Sequence, residues 1–426
     1  MTAPGVLPRR AAVIVFLAFA FAYFLSALVR AVTATLAPTL SQEFSLHASD
    51  LGLLAGGYFL GFAATQLPLG TWLDRHGPRK VALGFLGVAV AGSLVFSVAT
   101  GFSGLLAGRV LCGAGVSACL MAPLTGYRRW FEPTLQMRAN SWMLMTGSLG
   151  MVASTLPVQW ALPLVGWRPL FWVLAALIAV SMVVIAVWVP AWGAAAPPAG
   201  EPEPPAGSAG SAGRAEHGYA MVWRHPYFQR LAPLGFFVYG GMVAMQTLWA
   251  GPWMQRVAGY TPLEAATGLF WINVSMLCTF WTWGMLNPWL LRKGLGADRL
   301  MAAGVPLCLV VLLGTILAGP RAGGGAWALF CMSCTFVSLS QPAVAMAFPQ
   351  ALAGRALSAY NLVIFAGVFV VQWGIGLAVD AFAAAGLSAV QSFQAAMAVY
   401  LACNAGAYAW FLLRGRRHNV LQTTAP

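Results

Sequence analysis

Long apolar runs are the feature that most constrains this chain. Windows of about 20 mainly apolar residues, the length that crosses the hydrocarbon core of a bilayer, recur along the whole sequence. Because backbone polar groups in lipid must find partners within their own segment, each window is predicted to be a helix. The predicted fold class is an all-α polytopic membrane protein with twelve transmembrane helices. We number the windows as segments 1 to 12: 11–36, 48–70, 80–100, 103–126, 140–163, 168–190, 229–254, 265–290, 298–319, 324–349, 356–381 and 389–413.

Charge is scarce, and its placement predicts an orientation. Charged residues make up only 8% of the chain, whereas a soluble domain carries about 25%, so the lipid bilayer is the expected surrounding. The net charge of +13 does not indicate a nucleic-acid partner here, because membrane proteins collect Lys and Arg in cytoplasmic connections. With the N-terminus inside, only Arg168, Arg256 and Arg321 fall in connections on the far side. This predicts a bacterial inner (plasma) membrane protein with cytoplasmic termini.

The longest polar interruption, 191–228, divides the segments into six and six. Its first part is rich in Pro, Gly, Ser and Glu, a composition that cannot bury a core and is typical of a linker. Its second part interleaves aromatic and basic residues, which is typical of an amphipathic helix on a membrane surface. We therefore predict two bundles, 1–190 and 229–426, joined by a cytoplasmic linker.

A dense, mixed-sign cluster connects segments 2 and 3. Its pattern, Gly-x-x-x-Asp-Arg-x-Gly-x-Arg-Lys, resembles the connection between helices 2 and 3 of the major facilitator superfamily, a family of twelve-helix secondary transporters. Glycine lets a neighbouring helix approach closely, and an anionic Asp74 favours a helix N-terminus. The resemblance implies that helix 11 supplies this N-terminus, while the basic end of the cluster is expected to stay in water. The cluster consists of Gly70, Asp74, Arg75, Gly77, Arg79 and Lys80.

Segment 4 carries a second match, Arg109-x-x-x-Gly113-x-Gly115. It resembles the helix-4 pattern of the same family. An arginine inside a membrane costs on the order of 3 kcal/mol even on lenient scales. Two interpretations of Arg109 stay open: a functional charge, or a structural cross-link near the outer face. Together the two matches imply a pair of pseudo-symmetric six-helix bundles, a transporter rather than an enzyme, and no cofactor.

Arg30 lies inside segment 1, where no acid is present to neutralise it. An unpaired arginine there should point into a water-filled cavity or at a bound anion; the alternative is that it reaches the outer interface. Arg30 precedes Pro38 by eight residues, as in helix 1 of the organophosphate and anion–cation symporter branches of the family. This resemblance implies that Arg30 binds the substrate anion.

Segment 7 lacks the second arginine of the organophosphate branch and has Gln246 and Thr247 in that region. One arginine with uncharged donors suits a monoanion such as a carboxylate. The predicted substrate-binding residues are therefore Arg30, Tyr58, Gln246, Tyr360 and Asn361. No acid or histidine lies in the middle of a segment, so the coupling ion, if one is used, stays open between substrate charge, exchange and a cation held by neutral oxygens.

The sequence thus predicts a monomeric secondary transporter that takes up a small organic anion by alternating access. Export of a drug or metabolite by the same fold is the first alternative. Copper uptake is a second, motivated by the 17 methionines, although methionine is an ordinary filler of helix packing. A substrate sensor that has lost transport is the third. No metal site is predicted.

Overall fold

The computed structural model describes residues 6–192 and 219–423, and these residues form helices and short connections without any strand. Ten helices of this described part are long and apolar enough to cross a membrane. The bent pair that we call α5 would be an eleventh, with an angle of 43°, and α2 is a shorter apolar helix of 17 residues. The helices are α1 (Arg9–Phe44), α2 (Ala48–Ala64), α3 (Gln66–Ser97), α4 (Phe102–Trp130), α5 (Pro133–Ala153 and Leu156–Val165), α6 (Trp167–Trp188), α7 (Pro226–Arg256), α8 (Pro262–Arg292), α9 (Ala297–Ala318), α10 (Gly324–Met346), α11 (Gln350–Ala384) and α12 (Ala389–Thr423).

The boundary between the second and third spans differs from the predicted one. The second span breaks at Thr65, whose hydroxyl lies within hydrogen-bond distance of the Phe62 carbonyl, at 2.9 Å, and of the Ser117 hydroxyl, at 2.8 Å. Helix α3 then continues through the 70–80 cluster and turns at Gly77, which has φ of +76°. A Cβ at Gly77 would lie 2.2 Å from the Trp192 side chain, so glycine is required for both conformation and space.

Glycines let the helices of the first bundle approach to backbone contact. A Cβ at Gly61 in α2 would lie 2.1 Å from the Val110 carbonyl oxygen, and one at Gly113 in α4 would lie 1.8 Å from the Tyr58 carbonyl oxygen. Without a hydrophobic effect between helices in lipid, such close packing is a main source of association. Helices α2 and α4 thereby form a rigid pair that positions Tyr58.

The two predicted bundles meet mainly along four helix pairs, α2 with α11, α1 with α7, α5 with α8, and α3 with α11. Helix α7 contains two π-helical turns, Leu234–Tyr239 and Met245–Trp249, and α10 contains a 3₁₀ stretch, Thr335–Leu339. Such irregular turns are frequent at functional sites and hinges. In the predicted 191–228 linker, residues 219–224 are helical, whereas 193–218 lie outside the described residues.

Candidate substrate site

The guanidinium of Arg30 packs among aromatic side chains of α1 and α2. It lies 5.7 Å from the centre of the Phe62 ring, and the phenol groups of Tyr23 and Tyr58 are within interaction distance. Among the residues that the structure describes, Arg30 makes no ion pair. Its Nε is buried without a hydrogen-bond partner. The site therefore presents a cation with hydrogen-bonding capacity to spare.

Three further residues around Arg30 were not among the sequence candidates. Tyr239 of α7 and Cys119 of α4 lie within electrostatic range of its guanidinium. Ser26 has a buried hydroxyl without a partner. Ser26 and Tyr23 precede Arg30 by four and seven residues, so they share one face of α1 with Arg30. That spacing is the signal by which the sequence could have identified Ser26 and Tyr23.

Arg109 occupies the neighbouring space and binds backbone carbonyls of α1 through its two Nη atoms, while its Nε, like that of Arg30, is buried without a partner. It is fully buried, and its Nη1 donates to the Val29 carbonyl at 2.8 Å while its Nη2 donates to the Arg30 carbonyl at 3.4 Å. Its guanidinium lies 4.9 Å from the centre of the Tyr58 ring. Arg109 thus links α4 to α1 at the level of Arg30, in the interior of the bundle.

Tyr58 connects these two arginines. Its ring is fully buried, and its hydroxyl donates to the Ser26 carbonyl at 3.4 Å. The Phe62 ring, one turn further along α2, packs on the Phe365 ring of α11 at 4.4 Å between centres. Aromatic surface from both bundles therefore lies beside Arg30.

The second-half candidates have internal hydrogen bonds. The Gln246 amide donates to the Asn273 side-chain oxygen at 2.8 Å, and the Asn361 oxygen accepts from Gln341 at 3.1 Å. The Tyr360 hydroxyl donates to the Leu231 carbonyl at 3.1 Å. Each polar group is thus bonded within α7, α8, α10 and α11. In this conformation the structure brings Tyr58 to Arg30 and gives the other three different partners.

The 70–80 cluster corrects one expectation, and a second one stays a prediction. Arg79 was expected to remain in water, but it is half-buried and donates to the Ala186 carbonyl at the end of α6. Gly70 was expected to admit a neighbouring helix; a Cβ there would meet no atom within 4 Å in this conformation, so the close approach stays a prediction for another conformation. Asp74, Arg75 and Lys80 are exposed. In this conformation Arg79 ties the cluster to α6, and Gly70 has open space beside it.

With this geometry in place, comparison with known proteins defines the class. The profile of the Major Facilitator Superfamily matches residues 19–372, and the chain belongs to that family. Its fold is similar to the crystal structure of a bacterial homolog of the human lysosomal transporter Spinster in an inward-facing, unoccupied conformation, with a TM-score of 0.77, 17% identity, and coverage of 96% of this chain and 98% of the other. The protein is therefore a multi-pass membrane protein of a transporter family, and not an enzyme.

Curated relatives match only part of the chain. The 4-hydroxybenzoate transporter PcaK of Pseudomonas putida is 28% identical over a stretch that covers 39% of this chain and 37% of the relative. The probable sulfoacetate transporter SauU of Cupriavidus necator is 28% identical over 36% of each chain. The matched stretches therefore span well under two thirds of these relatives.

Proposed function

We propose that the protein is a secondary transporter of a small organic monoanion, and that Arg30 binds the anionic group. The carrying observation is the contrast between Arg30 and Arg109. Both arginines have a buried Nε without a partner and no described ion pair, but Arg109 donates through both Nη atoms to backbone carbonyls, whereas the polar neighbours of Arg30 are the phenol groups of Tyr23 and Tyr58. A buried unpaired charge is costly, and an anion bound at Arg30 would remove that cost.

The groups around Arg30 favour a carboxylate attached to an apolar or aromatic body. The Tyr23 and Tyr58 phenols lie beside Arg30, and Tyr58 would exchange its hydrogen bond to the Ser26 carbonyl for one to the anion. The paired Phe62 and Phe365 rings offer an apolar surface. A dianion would require a second cation to balance its charge. The nearby Arg109 already donates to backbone carbonyls, so a monoanion fits the site better. The relatives named for 4-hydroxybenzoate and sulfoacetate support an organic anion.

The second bundle would complete the site when the halves close on the substrate. Gln246, Tyr360 and Asn361 stay predicted contributors, each exchanging its present partner for the substrate. The proposed orientation keeps both termini and the linker in the cytoplasm, as the charge distribution predicts. The proposed direction is uptake, by alternating access of the two bundles about the site.

Ligand-dependent thermal stability tests the anion site. A ligand at 100 times its Kd stabilises the native state by about 2.7 kcal/mol, so 4-hydroxybenzoate or a similar carboxylate should raise the Tm while its neutral methyl ester should not. Arg30→Ala should abolish the shift. Arg30→Lys should weaken binding about tenfold or more, because it loses the planar two-pronged donor geometry.

The matched control is Arg256→Ala, since Arg256 is exposed at the end of α7. This variant should keep the ligand-induced shift. A shift that persists in Arg30→Ala would contradict the proposed site, and equal shifts from acid and ester would contradict an anionic substrate. Flux into proteoliposomes in both directions separates uptake from export, and the absence of flux despite binding would favour a sensor.

A further inference from the structure

Asp380, near the end of α11, lies outside the proposed substrate site and forms hydrogen bonds between the two bundles. Its Oδ1 accepts the backbone N–H of Ala48 at 3.1 Å, and its Oδ2 accepts the backbone N–H of Ser49 at 2.8 Å. Both donors belong to the first turn of α2. Asp380 is the last acid before the end of its helix, and both of its carboxylate oxygens bond to the opposite bundle.

The first turn of α2 explains why a carboxylate binds there. The first N–H groups of a helix have no partner within the helix and carry partial positive charge. Asp50 accepts the His47 N–H at 2.9 Å in a local capping box, which leaves Ala48 and Ser49 as donors. Asp380 takes both of them, so the start of α2 is completed by a residue from the other half of the protein.

The helix backbones touch beside this contact. A Cβ at Gly52 would lie 2.4 Å from the Gln372 carbonyl oxygen, and a Cβ at Gly376 would lie 2.4 Å from the Ala48 carbonyl oxygen. Helices α2 and α11 therefore have no room between them near Asp380. We call this part of the pair the Asp380 end.

We infer that Asp380 is a latch residue that holds the Asp380 end closed in this conformation and must release when that end opens. Alternating access requires the two bundles to part at each end in turn. Parting at the Asp380 end breaks two charge-assisted hydrogen bonds at once, so the carboxylate stabilises the closed arrangement selectively. A contact made in one state and lost in the other shifts the equilibrium between them.

The test measures the distance between the bundles at the Asp380 end by spin-label spectroscopy, in the ligand-free protein. Labels at Gln42→Cys and Ala385→Cys report on opposite halves, since both positions are exposed near this end. Asp380→Asn keeps the side-chain size but has one acceptor oxygen and no charge. The population with the longer distance should rise about tenfold, the order expected for losing a charge-assisted hydrogen bond. Asp380→Glu, which keeps the charge, should show a smaller rise.

Asp298→Asn is the matched control. Asp298 accepts hydrogen bonds from Arg230 at 2.6 Å and Tyr227 at 2.7 Å, all within the second bundle, so its amide variant should leave the distance unchanged. Asp380→Ser provides a second, smaller replacement should the amide fold poorly. Wild-type distance distributions in Asp380→Asn and Asp380→Ser would overturn the latch. Because no substrate is present, this outcome is independent of the anion-site proposal.

Discussion

The two ends of the α2–α11 pair differ in how closely the bundles approach. At the Asp380 end, glycines bring the backbones into contact and a carboxylate bonds across the halves. At the opposite end, which we call the Asp74 end and which consists of the first part of α3 and the start of α11, a Cβ at Gly70 or Gly354 would meet nothing within 4 Å, and Asp74 is exposed. The Asp380 end is therefore packed to backbone contact, whereas the two glycines of the Asp74 end have open space beside them, although α3 and α11 remain in contact.

The comparison also shows a repeated design. Each end has a carboxylate: Asp380 lies in the last turns of α11 and binds the start of α2, and Asp74 lies in the first part of α3, where the family resemblance predicts a contact with the start of α11. Among the residues that the structure describes, hydrogen bonds are seen for the Asp380 contact and not for one at Asp74. We expect the Asp74 contact to form when the Asp74 end closes, which is the role that the family resemblance predicts for Asp74.

Blocking the closed end should have the largest effect. Gly376→Leu places a side chain where the Ala48 carbonyl oxygen is only 2.4 Å from the position of a Cβ, and overpacking of this kind costs about 1–3 kcal/mol. The Asp380 end should then stay open and transport in proteoliposomes should be nearly abolished. Gly374→Leu, two residues earlier on the same helix with no atom within 4 Å, should transport at the wild-type rate. Equal activity of the two variants would contradict backbone contact as the closing device.

Filling the open end should have a smaller, state-specific effect. Gly70→Leu meets no atom in this conformation, so the free energy of unfolding should change by at most about 0.5 kcal/mol. Transport should nevertheless fall several-fold, because the added side chain obstructs the approach of α11 when the Asp74 end closes. Gly84→Leu is the control, since Gly84 also faces open space but lies on α3 beyond the Gly77 turn. If Gly70→Leu transports normally, the Asp74 end does not close through Gly70.

The spans themselves could be predicted because lipid imposes a simple rule on length and polarity. The α5 bend and the α7 π-helical turns could not, since they depend on contacts between helices rather than on local composition. The Thr155 backbone between the two parts of α5 has φ of −100° and ψ of −107°, a conformation that no residue pattern announces. The second span likewise ends at Thr65, whose hydroxyl contacts the Ser117 hydroxyl of α4. This contact between helices is not visible in the local composition.

The candidate site was predictable where charge was involved and less so where neutral groups were involved. Arg30 could be identified from its residue type and position, because an unpaired cation is expensive in lipid wherever it points. The hydrogen-bond partner of Tyr360 could not be predicted, since a phenol hydroxyl can donate equally well to a substrate or to a backbone carbonyl such as that of Leu231. Asp380 was visible as an acid at a helix end, but its partners are backbone N–H groups more than 330 residues away, and such donors leave no trace in a sequence.

The Asp74 end is also open to a subtler test, because Asp74 has its expected role in the state not seen here. Asp74→Asn should leave stability unchanged, since the side chain is exposed, yet it should disfavour closure of the Asp74 end. A carboxylate at a helix N-terminus contributes about 0.3–1 kcal/mol, or up to about 2 kcal/mol when partly buried. Transport should therefore fall by about twofold to thirtyfold, and the Asp380 end should close more often. Glu264→Gln is the control, because Glu264 bonds to Thr261 at the start of its own helix.

Combining the two carboxylate variants sharpens the comparison further. Asp380→Asn should open the Asp380 end and Asp74→Asn should close it, so the double variant should return the distance distribution toward that of the wild type. This follows because each carboxylate stabilises one state of the same helix pair, and opposite shifts of one equilibrium cancel. Spin-label distances at the Asp380 end measure all three variants alike. If the double variant merely resembles Asp380→Asn, the Asp74 end carries no counterpart latch, and the repeated design is a likeness of sequence position alone.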